Sequence, residues 1–302
     1  MLRPGTFCGM IQAMRKIIAV IVLVLAVLLG ISTYQSKYGL ECSYYTLTSA
    51  EIEHDFRVVQ LTDLHNSVFG ENNEKLVQLV REQEPDIILF TGDLLNHTEE
   101  RTDIAVSIIE QLQEIAPLYV SYGNHEDNYE RKYSTDITAL YEAAGAHVLN
   151  YAYEDIEVNG QQIRLGGIYG YCLPDRYAQQ TGRQNESAFL KEFQDTDLYT
   201  VLMCHMPVCW IINGSLDDWD IDCVLSGHSH GGQVQIPLVG GLYAPDQGWF
   251  CGKEYGLYYS SDSSKVMVLS RGLGNTEKIP RINNIPEVVV IDFTADYLHK
   301  ES

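Results

Sequence analysis

The chain has 302 residues, of which 45% are hydrophobic and 20% are charged, a globular composition that excludes a disordered or collagen-like protein. Its 20 basic and 41 acidic residues give a formal net charge of −21. A surface this acidic repels phosphate backbones, so we expect no nucleic-acid partner. Seven cysteines without a CxxC pair favour unpaired thiols over a disulfide framework or a structural zinc site.

An apolar segment near the N-terminus predicts a membrane anchor. The run Ile17–Ile31 carries no polar side chain, and the residues after it extend it to nearly the ~20 that span a bilayer core. Arg15 and Lys16 precede it directly, so the positive-inside tendency places residues 1–16 in the cytoplasm and the rest on the extracytoplasmic side of the cell membrane. We predict a single-pass signal anchor over residues 17–34; a cleaved signal peptide and a buried core helix are the alternatives.

After a connecting segment at residues 35–55, strand-like and helix-like patterns alternate. Short apolar runs predict strands at residues 56–61, 86–90 and 118–122. Apolar residues at helical spacing, bounded by capping residues and prolines, predict helices at residues 72–83, 104–115 and 134–144. Gly145 follows the last of these helices as its C-terminal cap.

The pattern changes after Gly145. Asn159 and Gly160 stand between two alternating runs, a strong signal for a β-hairpin. A helix is expected near residues 186–194, and further strands are expected at residues 199–204, 221–226, 266–270 and 287–293. No internal repeat and no linker rich in Pro, Gly or Ser divides this region. We therefore predict one α/β catalytic domain over residues 56–302.

Five of the strand-like runs end in polar residues that can bind metals. In chain order these clusters are Asp63-Leu64-His65, Gly92-Asp93, Gly123-Asn124-His125-Glu126, His205 and Gly227-His228-Ser229-His230. Ligands of open α/β sheets bind beyond the carboxyl ends of the strands, where loops distant in sequence meet in one pocket. A single histidine after a strand is usually a structural residue, but five clusters in the same structural position indicate a shared site.

The residue types in the clusters favour a centre of two metal ions. Imidazoles combined with carboxylates suit Mn, Fe or Zn, whereas sites made only of oxygen atoms suit Mg or Ca. Two cations about 3.5–4 Å apart need a shared anionic ligand, which an aspartate at a strand end can supply. His125 is available for proton transfer. The candidate ligands are Asp63, His65, Asp93, Asn124, His205, His228 and His230.

The ordered set D-x-H, G-D, G-N-H-E, H and G-H-x-H resembles the calcineurin-like metallophosphoesterase superfamily across Phe56–Phe293. The segment GHSHGGQVQIPLVGGLYAPDQGWF and the later SRGLGN are similar to the membrane-anchored bacterial branch of YkuE/YaeI-type phosphoesterases. The resemblance implies an α/β fold: a four-layer sandwich of two mixed β-sheets flanked by helices (the metallo-dependent phosphatase fold). Here an N-terminal transmembrane helix precedes it.

The resemblance also implies a role for each matching residue. The first metal ion is expected on Asp63, His65 and His230, the second on Asn124, His205 and His228, with Asp93 bridging them. A hydroxide between the two divalent metal ions (Mn, Fe or Zn) would attack phosphorus in line, and His125 would protonate the leaving oxygen. Glu126 and Asp63 are the candidates for orienting His125.

These roles predict a phosphodiesterase or pyrophosphatase that acts on a lipid or cell-envelope phosphate compound, because the anchor keeps the site near such molecules. The alternatives are a phosphomonoesterase, a nucleotide phosphodiesterase, and a catalytically inactive metal-binding scaffold. The last is disfavoured because all the residues of the site are present. The expected partners are a phosphorylated small-molecule or lipid substrate and the membrane through the N-terminal helix, without an obligate protein partner.

Residues outside the clusters give weaker signals. Asn66 and Arg271 are candidates for binding the substrate phosphate, and a loop-capping asparagine and an arginine that anchors the Gly-rich turn are the alternatives. The aromatic-rich runs Gly241–Phe250 and Tyr255–Tyr259 predict either a lip that contacts acyl chains or ordinary packing. The remaining histidines are expected to be structural or surface residues: His54, His97, His147 and His299.

Overall fold

A computed structural model describes residues 4–275 and 278–296. The α-helices are α1 (Pro4–Tyr38), α2 (Glu74–Arg81), α3 (Asp103–Leu112), α4 (Asn124–Tyr133), α5 (Ile137–Ala143), α6 (Asp175–Thr181), α7 (Gln184–Phe193), α8 (Val208–Ile212) and α9 (Ser215–Asp218). The strands are β1 (Glu41–Ser49), β2 (Phe56–Leu61), β3 (Ile87–Thr91), β4 (Leu118–Ser121), β5 (His147–Leu149), β6 (Ala152–Val158), β7 (Gln161–Ile168), β8 (Tyr199–Cys204), β9 (Cys223–Ser226), β10 (Gln235–Ile236), β11 (Gly240–Gly241), β12 (Tyr243–Ala244), β13 (Gly248–Trp249), β14 (Gly256–Tyr259), β15 (Val266–Leu269) and β16 (Glu287–Ala295).

Helix α1 contains the predicted anchor and is longer than it at both ends. Within the described part of the chain, Gln12–Tyr38 is the one helical stretch that is long and apolar enough to cross a membrane. The apolar side chains between Ile17 and Ile31 are exposed rather than packed against the domain. This exposure excludes the alternative that the segment is a buried core helix.

Two six-stranded mixed sheets form the body of the domain. The first has the order β1-β16-β2-β3-β4-β5, in which β2 to β5 are parallel and β16 is antiparallel to β2. The second has the order β14-β15-β9-β8-β7-β6, in which β7, β8, β9 and β15 are parallel. The strands that precede the five polar clusters all belong to these parallel sets, so within each sheet their carboxyl ends lie at the same edge.

Strand β1 lies within residues 35–55, which the sequence predicts to be a connecting segment. It pairs in parallel with β16 along its whole length, from Glu41 opposite Glu287 to Ser49 opposite Ala295. Most of its side chains are exposed or half-buried because it is the edge strand, so its sequence lacks the apolar run that marks the other strands. The folded body therefore begins before residue 56.

Strand β2 shows how the sequence builds the core. Phe56 and Val58 face the second sheet, whereas Val59 and Leu61 face the outer helices, since successive side chains of a strand point to opposite faces. Between the sheets, the rings of Phe56 and Phe293 stack with their centroids 4.7 Å apart. Helices α2, α3 and α5 cover the first sheet, and α7, α8 and α9 cover the second. The predicted four-layer sandwich is thus confirmed.

Two predicted turns are also confirmed. Asn159 and Gly160 join the antiparallel strands β6 and β7 with φ values of 48° and 86°, the positive values that a two-residue type I′ turn needs. Gly145 lies just beyond α5 with φ of 104°, a conformation that favours glycine. Six cysteines are free, as expected: Cys42, Cys172, Cys204, Cys209, Cys223 and Cys251.

The last turns of α1 are hydrogen-bonded to the domain. The hydroxyl oxygen of Ser32 accepts the backbone N–H of Asn283 at 2.8 Å, and that of Ser36 accepts the N–H of Asn284 at 3.0 Å. The side-chain amide of Asn284 in turn donates to the carbonyl oxygen of His230 at 2.7 Å. The end of the apolar helix is therefore linked through a single residue to one of the polar clusters.

Phe293→Ala is expected to lower the free energy of unfolding by about 3–5 kcal/mol, because a cavity replaces a ring that is fully buried between the two sheets. Urea denaturation of the full chain in detergent micelles measures the loss. Tyr259→Ala, at the exposed end of β14, is the control and is expected to stay near wild type. Equal stabilities of Phe293→Ala and the control would show that the sheets do not depend on this ring.

Candidate metal centre

The five predicted clusters lie together where the two sheets meet. The first sheet contributes the residues that follow β2, β3 and β4, namely Asp63, His65, Asp93, Asn124 and His125. The second sheet contributes those that follow β8 and β9, namely His205, His228 and His230. The site is therefore built from the carboxyl ends of parallel strands in both sheets.

Interatomic distances define three overlapping groups of candidate ligands. In each group, one ligand atom per residue lies within 4.8 Å of the others. The groups are Asp63-His65-His230, His65-Asp93-His125 and Asp93-His205-His228. Asp93 belongs to two of them, with its Oδ2 at 3.6 Å from Nε2 of His65 and at 3.0 Å from Nε2 of His205. It thus joins the second and the third group, and its contact with His65 brings it next to the first as well. This position is suited to a bridging ligand.

The backbone fixes how the ring of His205 is turned. Its Nδ1 donates a hydrogen bond to the carbonyl oxygen of Thr91 at 2.8 Å. Its Nε2 therefore faces the carboxylates of Asp63 and Asp93, at 3.7 and 3.0 Å. A histidine that is held at one nitrogen by a carbonyl and faces carboxylates with the other has the usual setting of a metal ligand.

Several buried polar atoms of the cluster have no hydrogen-bond partner within the described part of the chain. They are Nδ1 and Nε2 of His65, Nδ1 of His230 and Oδ1 of Asn124. An unsatisfied buried polar group costs about 1–3 kcal/mol, so such a concentration needs a compensating partner. Nitrogen and oxygen atoms arranged around two aspartates are a donor set that fits divalent first-row metal ions.

Charge interactions keep the two aspartates ionised. Burial alone raises the pKa of Asp63, but the neighbouring imidazoles, His230 foremost, hold that pKa below its ordinary value. The pKa of Asp93 is likewise lowered against burial, most strongly by His205. Burial lowers the pKa of His230 to about 3, whereas Asp93 and Asp63 overcome burial and raise the pKa of His205 to about 10. A cation that binds here must therefore displace a proton from His205.

The backbone is strained where it presents these side chains. Positive φ is uncommon for residues other than glycine and costs on the order of 1 kcal/mol or more. The candidate ligands with φ between 48° and 69° are Asp63, His65, Asp93, His228 and His230. The close approach of Gly123 to Asp93 is a second constraint, because a Cβ added to Gly123 would lie 2.2 Å from Oδ1 of Asp93. Strain concentrated in this way is typical of functional sites.

Glu126 supports the loop of Asp93 and does not orient His125, so that part of the prediction is wrong. Its buried carboxylate accepts the backbone N–H groups of Asp93 at 2.8 Å and of Gly123 at 2.9 Å. The hydroxyl of Tyr141 donates to the same carboxylate. Burial and the charge of Asp93 raise the pKa of Glu126. The side chain thus joins the loops that follow β3 and β4.

The partner of His125 is His97, which the sequence places among the structural or surface histidines. Nδ1 of His125 accepts the backbone N–H of His97 at 3.2 Å, and the Nδ1 atoms of the two rings are 3.0 Å apart. Burial lowers the pKa of His125 to about 3. The only signal in the sequence is that His97 follows Asp93 in the same loop. His54 and His147 are exposed as expected, and His299 lies outside the described residues.

Asp246 is a second residue of the site that the sequence analysis missed. Its Oδ2 lies 3.1 Å from Nε2 of His228, and the carboxylate also accepts the hydroxyl of Tyr171. It belongs to the turn between β12 and β13, in a segment whose only marked feature is its aromatic content. The contact brings that segment to the edge of the metal centre.

The two candidates for phosphate binding lie in different settings. Asn66 has a buried Oδ1 without a partner in the described chain, and its amide donates to Glu99 at 3.4 Å. Arg271 is paired with Glu287 at 3.1 Å and with Glu41. These ion pairs join Arg271 to β16 and β1, which agrees with the alternative of an anchoring arginine.

The similarity to known proteins covers the part of the chain that contains these residues. Residues 56–232, which contain all five clusters, match the family described as calcineurin-like phosphoesterase. The chain is 27% identical to the uncharacterized metallophosphoesterase YkuE of Bacillus subtilis, over 86% of this chain and 88% of that protein. It is 28% identical to the phosphodiesterase YaeI of Escherichia coli, over 78% and 82%. A dimetal phosphatase from Danio rerio aligns in structure with a TM-score of 0.41 and 11% identity, over 72% and 87%.

Glu126→Gln is expected to weaken Mn²⁺ binding by about 10–100-fold, because an amide nitrogen cannot accept the backbone N–H groups that position the loop of Asp93. Equilibrium dialysis followed by elemental analysis measures the affinity. Glu142→Gln, on the exposed face of α5, is the matched control and should bind Mn²⁺ like the wild type. If Glu126→Gln also retained wild-type affinity, the loop would not need this carboxylate.

Proposed function

This chain belongs to the calcineurin-like phosphoesterase family and is a metal-dependent phosphoesterase; from that premise we propose that it hydrolyses a phosphodiester or pyrophosphate bond in a lipid or cell-envelope compound. The observation that carries the proposal is the set of overlapping ligand groups around Asp93. Similarity to a protein named a phosphodiesterase supports the diester class. The apolar helix α1, hydrogen-bonded close to the site, supports a substrate at the membrane.

The proposal includes two divalent cations, Mn, Fe or Zn, in this centre. One is assigned to Asp63, His65 and His230, the other to Asn124, His205 and His228, and Asp93 is shared. When bound, such cations neutralise phosphate charge and make a nucleophile available from water near neutral pH. The unpartnered buried nitrogens of the cluster support this assignment because they match the ligand atoms that it needs.

His125 is assigned the delivery of a proton to the leaving oxygen. The backbone N–H of His97 occupies the lone pair of Nδ1, so the neutral ring of His125 carries its proton on Nε2. When that proton passes to the leaving oxygen, Nε2 takes a proton back from solvent water. The ring lies edge to face with His65, with the centroids 4.5 Å apart, which keeps it beside the candidate ligands. His97 acts as a positioning residue, because its contact with Nδ1 leaves Nε2 as the atom that can meet the substrate.

Helix α1 is assigned the role of a single-pass anchor, with the catalytic domain on the extracytoplasmic side. Arg15 and Lys16 precede the apolar run and support a cytoplasmic N-terminus by the positive-inside tendency. The hydrogen bonds of Ser32 and Ser36 to the domain support a fixed attachment rather than a loose tether. The catalytic centre then stays close to envelope phosphates.

Purified full-length protein loaded with Mn²⁺ is expected to hydrolyse bis-(p-nitrophenyl) phosphate faster than p-nitrophenyl phosphate. Removal of the metal with EDTA should abolish both activities, and release of p-nitrophenol measures them. Hydrolysis of the monoester alone would contradict the diester proposal. Bound metal without either activity would favour the inactive scaffold. A screen over phospholipids, nucleotide-diphospho-sugars and cyclic nucleotides then identifies the substrate class.

On a phosphodiester with an alkoxide leaving group, His125→Ala is expected to lower kcat by about 10²–10⁴-fold while bound Mn²⁺ stays unchanged, because only the proton donor is lost. On bis-(p-nitrophenyl) phosphate the loss should be much smaller, because p-nitrophenolate leaves without a proton. His97→Ala should lower kcat by about tenfold with little change in KM, since the ring of His125 keeps the backbone N–H of residue 97 but loses the contact with Nδ1 of His97. His97→Gln, whose amide can donate to Nδ1, should recover part of the loss. The control is His54→Ala, an exposed residue before β2. If His97→Ala kept the wild-type kcat, His97 would not be a positioning residue.

A further inference from the structure

The turn between β10 and β11 exposes apolar side chains. Leu238 is completely exposed, with a relative accessibility of 108%, and Val239 is 59% exposed. The N–H of Val239 donates to the carbonyl oxygen of Ile236, closing a turn in which Leu238 has φ of 68°. Pro237 followed by positive φ is the pattern of a type II turn, whose third residue is usually glycine or asparagine. In water, a leucine at this position is unfavourable for two reasons: its backbone has a positive φ, and its apolar side chain is completely exposed.

The sequence around this turn carries no charge. Residues 231–245 contain no Asp, Glu, Lys or Arg, although one residue in five of the whole chain is charged. Trp249 and Phe250 follow shortly afterwards and are 62% and 64% exposed. An uncharged apolar segment flanked by exposed aromatic residues is typical of a membrane interface.

The position of the turn beside α1 indicates what covers it. Asn283 donates from its backbone to Ser32 at 2.8 Å and from its side-chain amide to the carbonyl oxygen of Gln235 at 3.0 Å. Ser32 directly follows the apolar run Ile17–Ile31, so it marks where the helix leaves the hydrocarbon. Leu238 is three residues beyond Gln235, a reach of at most about 11 Å. The turn can therefore contact the same leaflet from which α1 emerges.

Positive charge lies in the same region. A cavity of about 320 Å³ is bounded by the last turns of α1 and by residues near Arg281, and its lining includes Lys37 and Lys278. The chain as a whole has a net charge of −21. Lysines at the exit of an apolar helix therefore complement anionic lipid headgroups where most of the surface would repel them.

The segment that contains the turn also reaches the metal centre. Asp246 contacts His228, as described above, and the amide of Asn284 donates to the carbonyl oxygens of His230 at 2.7 Å and of Gln233 at 3.1 Å. The same stretch of chain is thus attached at one side to α1 and at the other to two candidate ligands. A contact between the turn and the bilayer would set the distance of the metal centre from the membrane.

We propose that the turn at residues 236–239 inserts into the leaflet beside α1 and holds the metal centre at the bilayer surface, where it takes a phospholipid-type phosphoester directly from the membrane. The substrate class rests on the proposed phosphoesterase function, whereas the insertion of the turn does not. Helix α1 alone leaves the tilt of the attached domain against the bilayer free, because a single helix can tilt in the membrane. A second point of contact with the lipid fixes the orientation of the centre.

Quenching by brominated lipid tests the insertion directly. The full chain is reconstituted in vesicles of phosphatidylcholine with or without brominated acyl chains, in a Trp249→Phe background. The introduced tryptophan of Leu238→Trp should emit about half as much or less in the brominated vesicles as in the unbrominated ones, as expected for a side chain at the acyl boundary. The buried Trp210 and Trp219 supply the same background in every sample.

Tyr259→Trp in the same background is the matched control. Tyr259 is also exposed, and it pairs with Val266 at the start of β15, at the end of the second sheet opposite the metal centre. Its emission should be the same in both kinds of vesicle. If Leu238→Trp is quenched no more than Tyr259→Trp, the turn faces water or another protein surface and the proposal is overturned.

Leu238→Asn separates the membrane contact from folding, because asparagine tolerates positive φ in this turn. Its thermal unfolding should match the wild type or occur at higher temperature. In wild type, vesicles of phosphatidylglycerol should slow hydrolysis of bis-(p-nitrophenyl) phosphate about tenfold relative to micelles of a phosphate-free detergent, because the lipid phosphate competes at the centre. Leu238→Asn should remove most of this difference.

The outcomes separate the two proposals. Equal rates of the wild type in phosphatidylglycerol vesicles and in phosphate-free micelles would overturn the lipid substrate, and an undiminished difference in Leu238→Asn would overturn the role of the turn. A wild-type protein without any phosphoesterase activity would contradict the proposed function instead. The quenching experiment would still decide whether the turn enters the bilayer.

Discussion

The carboxylate of Asp93 is the contact on which the arrangement of the site depends. Its Oδ2 faces Nε2 of His65 and of His205, and its Oδ1 accepts the backbone N–H of His125 at 2.8 Å. His205 belongs to the second sheet and the others to the first, so one side chain joins the carboxyl ends of both. A buried negative charge is costly without compensating cations. A metal ion bound here therefore also stabilises the junction of the two sheets.

The strained loops around this carboxylate are held by contacts between the clusters themselves. Glu126, from the cluster after β4, binds the backbone of Asp93, and Asp63 accepts the backbone N–H of His228 at 3.0 Å. The carbonyl oxygen of Thr91 fixes the ring of His205. Each loop thus relies on a neighbour from another strand end. Such mutual support lets positive φ values persist at several positions, because no loop has to maintain its conformation alone.

The apolar helix is connected to the same network. Ser36 binds Asn284, and Asn284 binds the backbone of His230, so a rigid chain of hydrogen bonds runs from the end of α1 to the metal centre. A membrane helix attached in this way would pass its tilt on to the candidate metal centre. The turn at residues 236–239 is attached to α1 through Asn283, the neighbouring residue. The proposed membrane contact and the candidate metal centre therefore share one structural element.

Much of this architecture is readable in the sequence, and the exceptions have physical reasons. Strands such as β2 and β3 are buried on both faces, so they appear as apolar runs whose ends mark the polar clusters. Strand β1 is an edge strand with few buried side chains, and its sequence gives no comparable signal. The surroundings of Arg271 could not be read from the sequence near it, because one of its ion-pair partners is Glu41, a residue near the opposite end of the chain.

The sequence by itself determined the apolar helix, the alternation of strands and helices, and the kinds of ligand available, because these follow from local hydrophobicity and from the chemistry of each side chain. Only the tertiary structure decided that His97 is the partner of His125, that Glu126 supports Asp93, and that an exposed turn lies beside α1. Hydrogen bonds between distant segments depend on distances in space, and those distances are set by the packing of both sheets together rather than by any short stretch of residues.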